Sequence, residues 1–419
     1  MTPTTPGAGS RADLPDLLRG FALLGICVAN AAVLSLYVFQ PPAAQAALPT
    51  AATDHWARIF HFTFIDGKFY SLFSLLFGLG FAIIFYERNG SSGRGLRYFY
   101  RRLLVLAAFG LAHSLLIWEG DILLFYAVVG AFLPLFRRCS GRTLLVTAAL
   151  LLLSPLLFDA AKVLTEGRWN LSAPVLARAL AQDAAGGISE AALKDWVLVH
   201  DRYSDLLTWN RSGFWWNLQL RLDSNRAPKV LALFLIGLWA GRARIYARPA
   251  EFEAGLRKVL RYGLLVGIPF GLAHAWAEGD GRALPAAAGL LDTLTYAGNT
   301  APLALAYAAA FSLWYVRRPG AALLRVLRPV GRMALTNYIA QSVFGVGLYY
   351  GIGAGLGGRV GPTVFLPVAV AFFCVQVAWS HAWFRYFEFG PLEWVWRQLT
   401  YGRRLPLRRT PVPAPLPLP

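Results

Sequence analysis

One histidine and two carboxylates stand close together in the first half of the chain: His113, Glu119 and Asp121. A carboxylate that accepts a hydrogen bond from an imidazole orients the ring and increases its basicity, which suits a general base at neutral pH. We therefore take His113 as a candidate catalytic base, with Glu119 or Asp121 orienting it. The alternative is a histidine whose polar atoms are simply satisfied within a packed core.

Other polar side chains occur inside or beside long apolar stretches, where they are costly and mark either a site or an internal lock. Asp16, Arg19 and Asn30 are separated by nearly whole helical turns and share one helix face. For Asp16 and Arg19 the alternative is a simple ion pair, and for Asp66 and Lys68 it is a charged interfacial turn. For the amides Asn299, Asn337 and Gln341 it is a set of interhelical hydrogen bonds. The candidates for a substrate-binding polar cavity are Asp16, Arg19, Asn30, Asp66, Lys68, Asn299, Asn337 and Gln341.

Arginines beside the apolar stretches could bind an anionic substrate that donates a group to another molecule. Arg101, Arg102 and Arg332 are the candidates for binding its phosphates. Cys27, Cys139 and Cys374 lie far apart and show no metal or redox spacing, and no phosphate loop, nucleophile elbow or dinucleotide fingerprint is present. We expect no metal ion and no covalently bound cofactor.

The composition dictates the elements that must position these groups. Of 419 residues, 57% are hydrophobic and only 15% charged. A spanning helix needs about 20 mostly apolar residues, and runs of about that length recur along the whole chain. We predict an all-α, polytopic bundle of about ten transmembrane helices, at 18–39, 68–86, 103–118, 122–137, 143–159, 228–241, 258–276, 297–316, 333–350 and 362–384.

The charges between these segments predict their orientation. Connection 137–142 has three arginines and no acid, whereas connection 118–121 has two acids and no base. Basic connections face the cytoplasm, so we predict a multi-pass protein of a bacterial cytoplasmic (inner) membrane with both termini in the cytoplasm. The net charge of +18 is spread between apolar runs, which argues against nucleic acid as a partner and leaves the lipid bilayer. Because the run Phe21 to Phe39 exceeds a signal-peptide core, we expect it to be retained.

The domain organisation follows from these segments. Ser189 to Leu207 is predicted to form an amphipathic helix with Ser189 as N-cap, in a solvated cap or a lid over a site. Phe387 to Arg404 is typical of an interfacial helix, and Pro411 to Pro419 of an extended tail. We divide the chain into a cytoplasmic tail (1–17), a first bundle (18–159), an extracytoplasmic cap (160–227), a second bundle (228–386), and a cytoplasmic interfacial helix with tail (387–419).

Motifs along nearly the whole chain resemble one family. They are DLLRGFALLGICVAN at 16–30, DGKFYSLFSLLFGLGF at 66–81, RRLLVLAAFGLAHSLLIWEGDILLFYAVVG at 101–130, GRMALTNYIAQS at 331–342 and FGPLEWVWRQLTYG at 389–402. Together and in this order they resemble the YeiB-like family of bacterial inner-membrane proteins, the domain of unknown function 418. His113 belongs to that family's pattern.

The family is distantly similar to transmembrane acyltransferases, and this implies an acyltransferase-like superfamily fold. It also implies acyl-CoA as a possible cytoplasmic donor and a glycan or small-molecule hydroxyl or amine as acceptor. The shared features are Asp16, Arg19, Gly20 and Asn30 in the first segment and Gly331, Asn337 and Tyr338 before a late one. Those acyltransferases use a histidine near the outer end of the first span, with which His55 and His61 do not clearly align.

Three functions fit these residues. An acyltransferase would use His113 as general base, and a transporter or permease would line a solute path with the same buried polar groups. In a non-catalytic scaffold or sensor, those groups would only lock the bundle.

Overall fold

The computed structural model describes residues 13–88, 93–277 and 284–409, so the predicted tail at 411–419 and residues 1–12 lie outside it. Within the described residues the regular structure is helical, apart from one isolated bridge between Phe387 and Arg408. The α-helices are α1 (Asp13–Leu34), α2 (Pro42–Ala46), α3 (Ala51–Phe64), α4 (Lys68–Ala82), α5 (Gly93–Leu116), α6 (Leu123–Gly130), α7 (Gly141–Leu164), α8 (Ala173–Gly186), α9 (Leu193–Val199), α10 (Tyr203–Asp223), α11 (Arg226–Arg242), α12 (Glu253–Ala277), α13 (Gly289–Arg317), α14 (Ala322–Arg332), α15 (Ala334–Tyr349), α16 (Pro362–Tyr386) and α17 (Pro391–Tyr401).

Six helical segments of the described chain are long and apolar enough to cross a membrane. They confirm a membrane-helix protein. The other predicted segments also fold as helices, α6, α11, α13 and α15, but α6 has only 8 residues and is about 12 Å long. The six segments are Asp13–Phe39, Ala51–Tyr86, Gly95–Leu116, Gly141–Leu164, Pro249–Ala277 and Pro362–Tyr386.

Successive long helices alternate in direction, so the bundle has two distinct ends. The basic end contains the first two turns of α1 with Arg19, the first half of α5 with Arg102, and the C-terminal turn of α14 with Arg332. The cap end is covered by α8, α9 and α10. Helices α4 and α11 pack face to face, with Gly78 against the carbonyl of Phe234 and Gly237 against the carbonyl of Leu75.

The second predicted segment begins earlier than 68–86. Its helical run starts at Ala51 in α3, turns at residues 65–67, where Gly67 has a φ of 78°, and continues as α4. The turn lies inside the bundle, because Phe69 packs on Gly25 in the middle of α1. The side chains of α13 complete the interruption: Asn299 and Tyr307 donate hydrogen bonds to the carbonyls of Thr63 and Phe64.

The cap differs from the prediction of one helix from Ser189 to Leu207, which is wrong. Ser189 precedes only a short 3₁₀ turn, and α9 ends at Val199. His200 and Arg202 have extended backbones, and the carboxylate of Asp205 accepts the Arg202 amide hydrogen, so a separate helix, α10, begins at Tyr203. Its 21 residues descend over the end of α5.

The predicted interfacial helix near the C-terminus is α17, and it is part of the bundle. Glu393 accepts hydrogen bonds from the amides of Leu335 and Thr336 and from the Thr336 hydroxyl. These amides belong to the first turn of α15, where a carboxylate also meets the positive end of the helix dipole. Trp396 of α17 packs under the guanidinium of Arg102, 3.9 Å from ring centroid to Cζ.

The contact between α4 and α11 gives a test of the fold. In a Gly78→Ala variant the added methyl would overlap the Phe234 carbonyl, so we expect a loss of about 1–3 kcal/mol and a lower Tm in detergent. Gly80→Ala, two residues further along α4, has open space at its Cβ and is the matched control. It should be neutral or stabilising by up to about 1 kcal/mol. Equal Tm values for the two variants would contradict the packing described.

Candidate functional site

His113 lies in the last turn of α5 and is buried between two polar partners. Its Nδ1 is 2.9 Å from Oδ2 of Asp121, and its Nε2 is 2.9 Å from Oγ of Ser342. An ionised carboxylate only accepts hydrogen bonds, so in the neutral ring Nδ1 donates to Asp121 and Nε2 accepts the Ser342 hydroxyl hydrogen. The ring is therefore oriented as a base whose lone pair faces a serine hydroxyl.

Asp121 is held rigidly by the turn between α5 and α6. Its Oδ1 accepts the amide hydrogen of Leu124 at 2.8 Å, so the same carboxylate begins α6 and binds His113. The turn can pack this tightly because Gly110 of α5 has no side chain to strike Leu124 and Asp121. Of the two predicted orienting carboxylates, Asp121 makes the contact with His113.

Sequence reasoning missed Ser342, although it ends the motif GRMALTNYIAQS. Tyr338 and Ser342 are four residues apart and lie one above the other on α15. The Tyr338 ring packs on the imidazole with centroids 5.1 Å apart, and the Tyr338 oxygen accepts the Ile122 amide hydrogen. This i, i+4 spacing of two hydroxyl side chains was the available signal.

Glu119 lies beside the site but faces away from His113. Helix α10 covers it: Gly213 packs directly on its side chain, and Asn217 donates a hydrogen bond to its backbone carbonyl. Its Oε2 atom is buried without a hydrogen-bond partner. Burial raises the pKa of the Glu119 carboxyl from 4.5 to about 7.

A cavity of about 660 Å³ runs from the basic end into the bundle. Its walls are aromatic and aliphatic, with Phe73, Phe77, Phe81 and Phe99 among them. At its inner end are Ile122, Tyr126 and Tyr338, so its last wall is the ring that packs on His113. Its mouth is lined by Arg19, Arg102, Arg244, Arg332 and Arg397.

The structure brings four of the predicted residues to this mouth: Asp16, Arg19, Arg102 and Arg332 line the cavity. Asp16 and Arg19 form an ion pair of 2.6 Å on one face of α1. Arg101 differs from its neighbour, since it is exposed and does not line the cavity.

Three of the four predicted amides lie between helices. Asn299 donates to the carbonyls of Thr63 and Gly267, and Asn337 donates to the Ser380 hydroxyl. Gln341 donates to the Leu23 carbonyl and to the side chain of Gln376. The bonds of Asn337 and Gln341 tie α1, α15 and α16 together beside Ser342, whereas those of Asn299 tie α13 to α3 and α12.

The other predicted residues lie elsewhere. Lys68 is fully buried, and its ammonium donates to the Phe62 carbonyl across the turn between α3 and α4. Asp66 in the same turn and Asn30 on α1 are half-buried. Neither is hydrogen-bonded through its side chain to a group in the described residues. His274 pairs with Asp292 at 2.9 Å.

No cluster of three or more His, Cys, Asp or Glu side chains that could hold a metal ion occurs among the described residues. The three cysteines are free thiols.

The apolar helices, the buried polar triad and the arginine-lined cavity define a helical membrane protein with an internal site. Residues 240–403 match the family model described as a protein of unknown function (DUF418). The chain is 30% identical to the uncharacterized protein YxaH of Bacillus subtilis (strain 168), over 92% of this chain and 93% of the relative. It is 31% identical to the uncharacterized protein YeiB of Escherichia coli (strain K12), over 92% and 95%. The chain belongs to this YeiB-like DUF418 family. No solved structure matches it.

Glu119 gives a pH-dependent prediction. Because its folded pKa lies above its ordinary value, its contribution to stability is complete below about pH 4.5 and is lost as pH rises through about 7. Glu119→Gln removes this loss. Between pH 5 and pH 8.5 its Tm in detergent should therefore rise relative to that of wild type. The corresponding gain in the free energy of unfolding is up to about 3 kcal/mol.

Glu190→Gln, an exposed carboxylate of the cap, is the control and should follow wild type at every pH. Parallel curves of Tm against pH for wild type and Glu119→Gln would show that Glu119 is ionised and solvated in the folded protein.

Proposed function

We propose that the protein is a transmembrane acyltransferase that moves an acyl group from a cytoplasmic thioester such as acyl-CoA to a hydroxyl or amine acceptor. One observation carries the proposal: the arginine-lined cavity ends at Tyr338, whose ring packs on the His113 imidazole between Asp121 and Ser342. A donor with an anionic head and an apolar tail fits a cavity with this order of surfaces.

The mouth of the cavity suits the phosphates of such a donor. Five arginines converge there, and a guanidinium binds phosphate through two parallel hydrogen bonds. Arg102 and Arg332 are also stacked on Trp396 and Phe384, which fixes their planes at the entrance. The apolar walls beyond them would enclose the arm that joins the phosphates to the thioester, so that the thioester reaches the inner end of the cavity.

The proposed chemistry begins at Ser342. As its oxygen attacks the thioester carbonyl, Nε2 of His113 takes the hydroxyl proton and Asp121 stabilises the resulting imidazolium. The carbon–sulfur bond breaks, and His113 returns the proton to the leaving thiolate. The acceptor hydroxyl or amine then attacks the serine ester, again losing its proton to His113, and Ser342 is regenerated.

The same proposal fixes the orientation. The basic end faces the cytoplasm of a bacterial inner membrane, both termini lie on that side, and all ten apolar segments lie in the bilayer. Support comes from the arginines gathered at that end, as expected for the cytoplasmic side. The acceptor reaches the site from the cap end, where α10 covers the turn after α5.

A transporter is the second candidate, and one observation favours it. The run from α3 to α4 is interrupted inside the bundle at residues 65–67, and interrupted helices are common at the substrate sites of transporters. A transporter would release the donor unchanged, so the fate of the acyl group separates the two functions.

Donor binding is the first test. In purified protein, acyl-CoA should bind saturably, and replacing Arg102 and Arg332 with alanine should weaken binding by about tenfold or more, since each removes a charge-assisted hydrogen bond. Arg101→Ala is the matched control, because Arg101 is the exposed neighbour outside the cavity, and it should leave the affinity unchanged. No saturable binding, or an equal loss in the control, would contradict the assignment of the mouth.

The second test follows the acyl group. With a radiolabelled acyl-CoA, the protein should carry an acyl ester on Ser342, detected by intact mass and peptide mapping. Ser342→Ala and His113→Gln should abolish the ester while still binding acyl-CoA, because neither residue lines the arginine mouth. An ester that forms without Ser342 would remove the serine from the mechanism, and retained donor binding without any acyl transfer would favour the transporter.

A further inference from the structure

A second cluster of charge lies at the cap end, separate from the arginine mouth. Arg221 in the last turn of α10 and Arg226 and Lys229 in the first turn of α11 converge on aromatic rings. Their charged groups lie 4.9, 4.9 and 4.6 Å from the rings of Phe125, Tyr70 and Tyr296, respectively. The three cations therefore lie close together, against rings of α6, α4 and α13.

These cations have no carboxylate partner within 4 Å in the described part of the chain. The Nε atoms of Arg221 and Arg226 are buried and make no hydrogen bond. A buried donor without a hydrogen-bond partner is costly, and native proteins satisfy such groups. The unmatched donors thus point to an anion that the site is built to receive.

The carboxylates around the cluster are already engaged, with one exception. Asp121 binds His113 and the Leu124 amide, and Asp159 binds Lys162, Asn225 and Thr293. Asp223 also binds Lys162, and Asp292 pairs with His274. Asp66 is the exception: it acts on Arg226 and Lys229 only from beyond ion-pair distance.

Two helix ends add to this field. Helices α4 and α11, with 15 and 17 residues, both begin beside the cluster, at Lys68 and Arg226. The N-terminus of a helix carries partial positive charge and free amide hydrogens, which favour anions. The hydroxyls of Tyr70 and Tyr296, 3.4 Å apart, supply further hydrogen bonds at the same place.

From this geometry we infer a phosphate-binding site formed by Arg221, Arg226 and Lys229, open to a phosphorylated molecule that arrives from the cap end. Two guanidinium groups, an ammonium and two phenols match the charge and the acceptors of a phosphate or pyrophosphate. Tyr126 belongs to both the inner end of the cavity and this side of the bundle, since its hydroxyl binds Ser74 and the Tyr70 carbonyl. The site does not depend on the acyltransferase proposal, but a phosphorylated acceptor held there would lie beside Tyr338 and His113.

The experiment measures binding to the whole protein without any acyl-CoA. In neutral detergent, inorganic pyrophosphate should bind saturably and raise the Tm, while nanodiscs of phosphatidylcholine with and without phosphatidic acid test a lipid phosphate. Arg226→Gln and Lys229→Gln should each weaken binding by about tenfold. Arg221→Gln should weaken binding to the same extent, and Arg211→Gln, which removes an exposed cation of the same helix, is its matched control and should bind as wild type does.

Binding of pyrophosphate supports a site for soluble phosphates, and binding of phosphatidic acid alone supports a lipid headgroup. If a glutamine variant is not monodisperse, Arg226→Lys, which keeps the charge but loses the two-pronged geometry, carries the test. Equal affinity in wild type and the Arg226 and Lys229 variants, or no binding of either probe, overturns the proposal. Ser342→Ala should bind pyrophosphate as wild type does, so the outcome is independent of acyl transfer.

Discussion

The buried hydrogen bonds of His113 set the geometry of the centre of this protein. One imidazole joins the end of α5 to the following turn through Asp121 and to α15 through Ser342. A buried polar group must be matched on all sides, so neither α15 nor the turn can shift without leaving a partner unsatisfied. Such a constraint fixes the relative positions of three chain segments, one of which, α15, brings Ser342 from 229 residues further along the sequence.

Amide side chains next to Ser342 join α15 to α1 and α16 by hydrogen bonds. Gln341, the residue before Ser342, binds the Leu23 carbonyl of α1 and Gln376 of α16, and Gln376 binds the Asn337 carbonyl. In a bilayer, apolar side chains contact lipid as favourably as they contact each other, so interhelical hydrogen bonds give specificity that hydrophobic packing cannot. The polar residues in the middle of α15, from Asn337 to Ser342, thus divide into two groups: amides that lock helices, and hydroxyls that face His113.

The sequence predicted much of this arrangement. Apolar run lengths predicted a helical membrane protein, and the six long apolar helical segments confirm it. Arg102 and Arg332, predicted to bind phosphates, and Asp16 and Arg19, predicted for a separate polar cavity, line the same cavity. The pairing of His113 with a carboxylate also occurs in the structure, with Asp121 as the partner. These features depend on local periodicity and on neighbours within one helical hairpin, which a single sequence contains.

The parts that sequence reasoning missed depend on distant packing. Ser342 is 229 residues from His113, and no local pattern shows that α15 brings the two together. Nor does local pattern reveal that the turn at Gly67 lies inside the bundle, since Asp66 and Lys68 look like an ordinary charged end of a membrane helix. The short α6 is a third case, because its apolar run continues through Phe136 while the helix itself ends at Gly130.

The distribution of charge links the two halves of the molecule. Arginines line the mouth at the basic end, and a second set of cations lies beyond Tyr126 and Tyr338 at the cap end. Between them lie an apolar cavity and a single buried imidazole. Because charged ligands gain most where water is excluded, each cation set can bind an anion while the apolar layer between keeps the two ligands apart. Only a group that crosses this layer, such as an acyl chain within the cavity, would reach His113 from the basic end. Tyr126 and Tyr338 separate the two ends, so any chemistry between the two ends must depend on these two side chains.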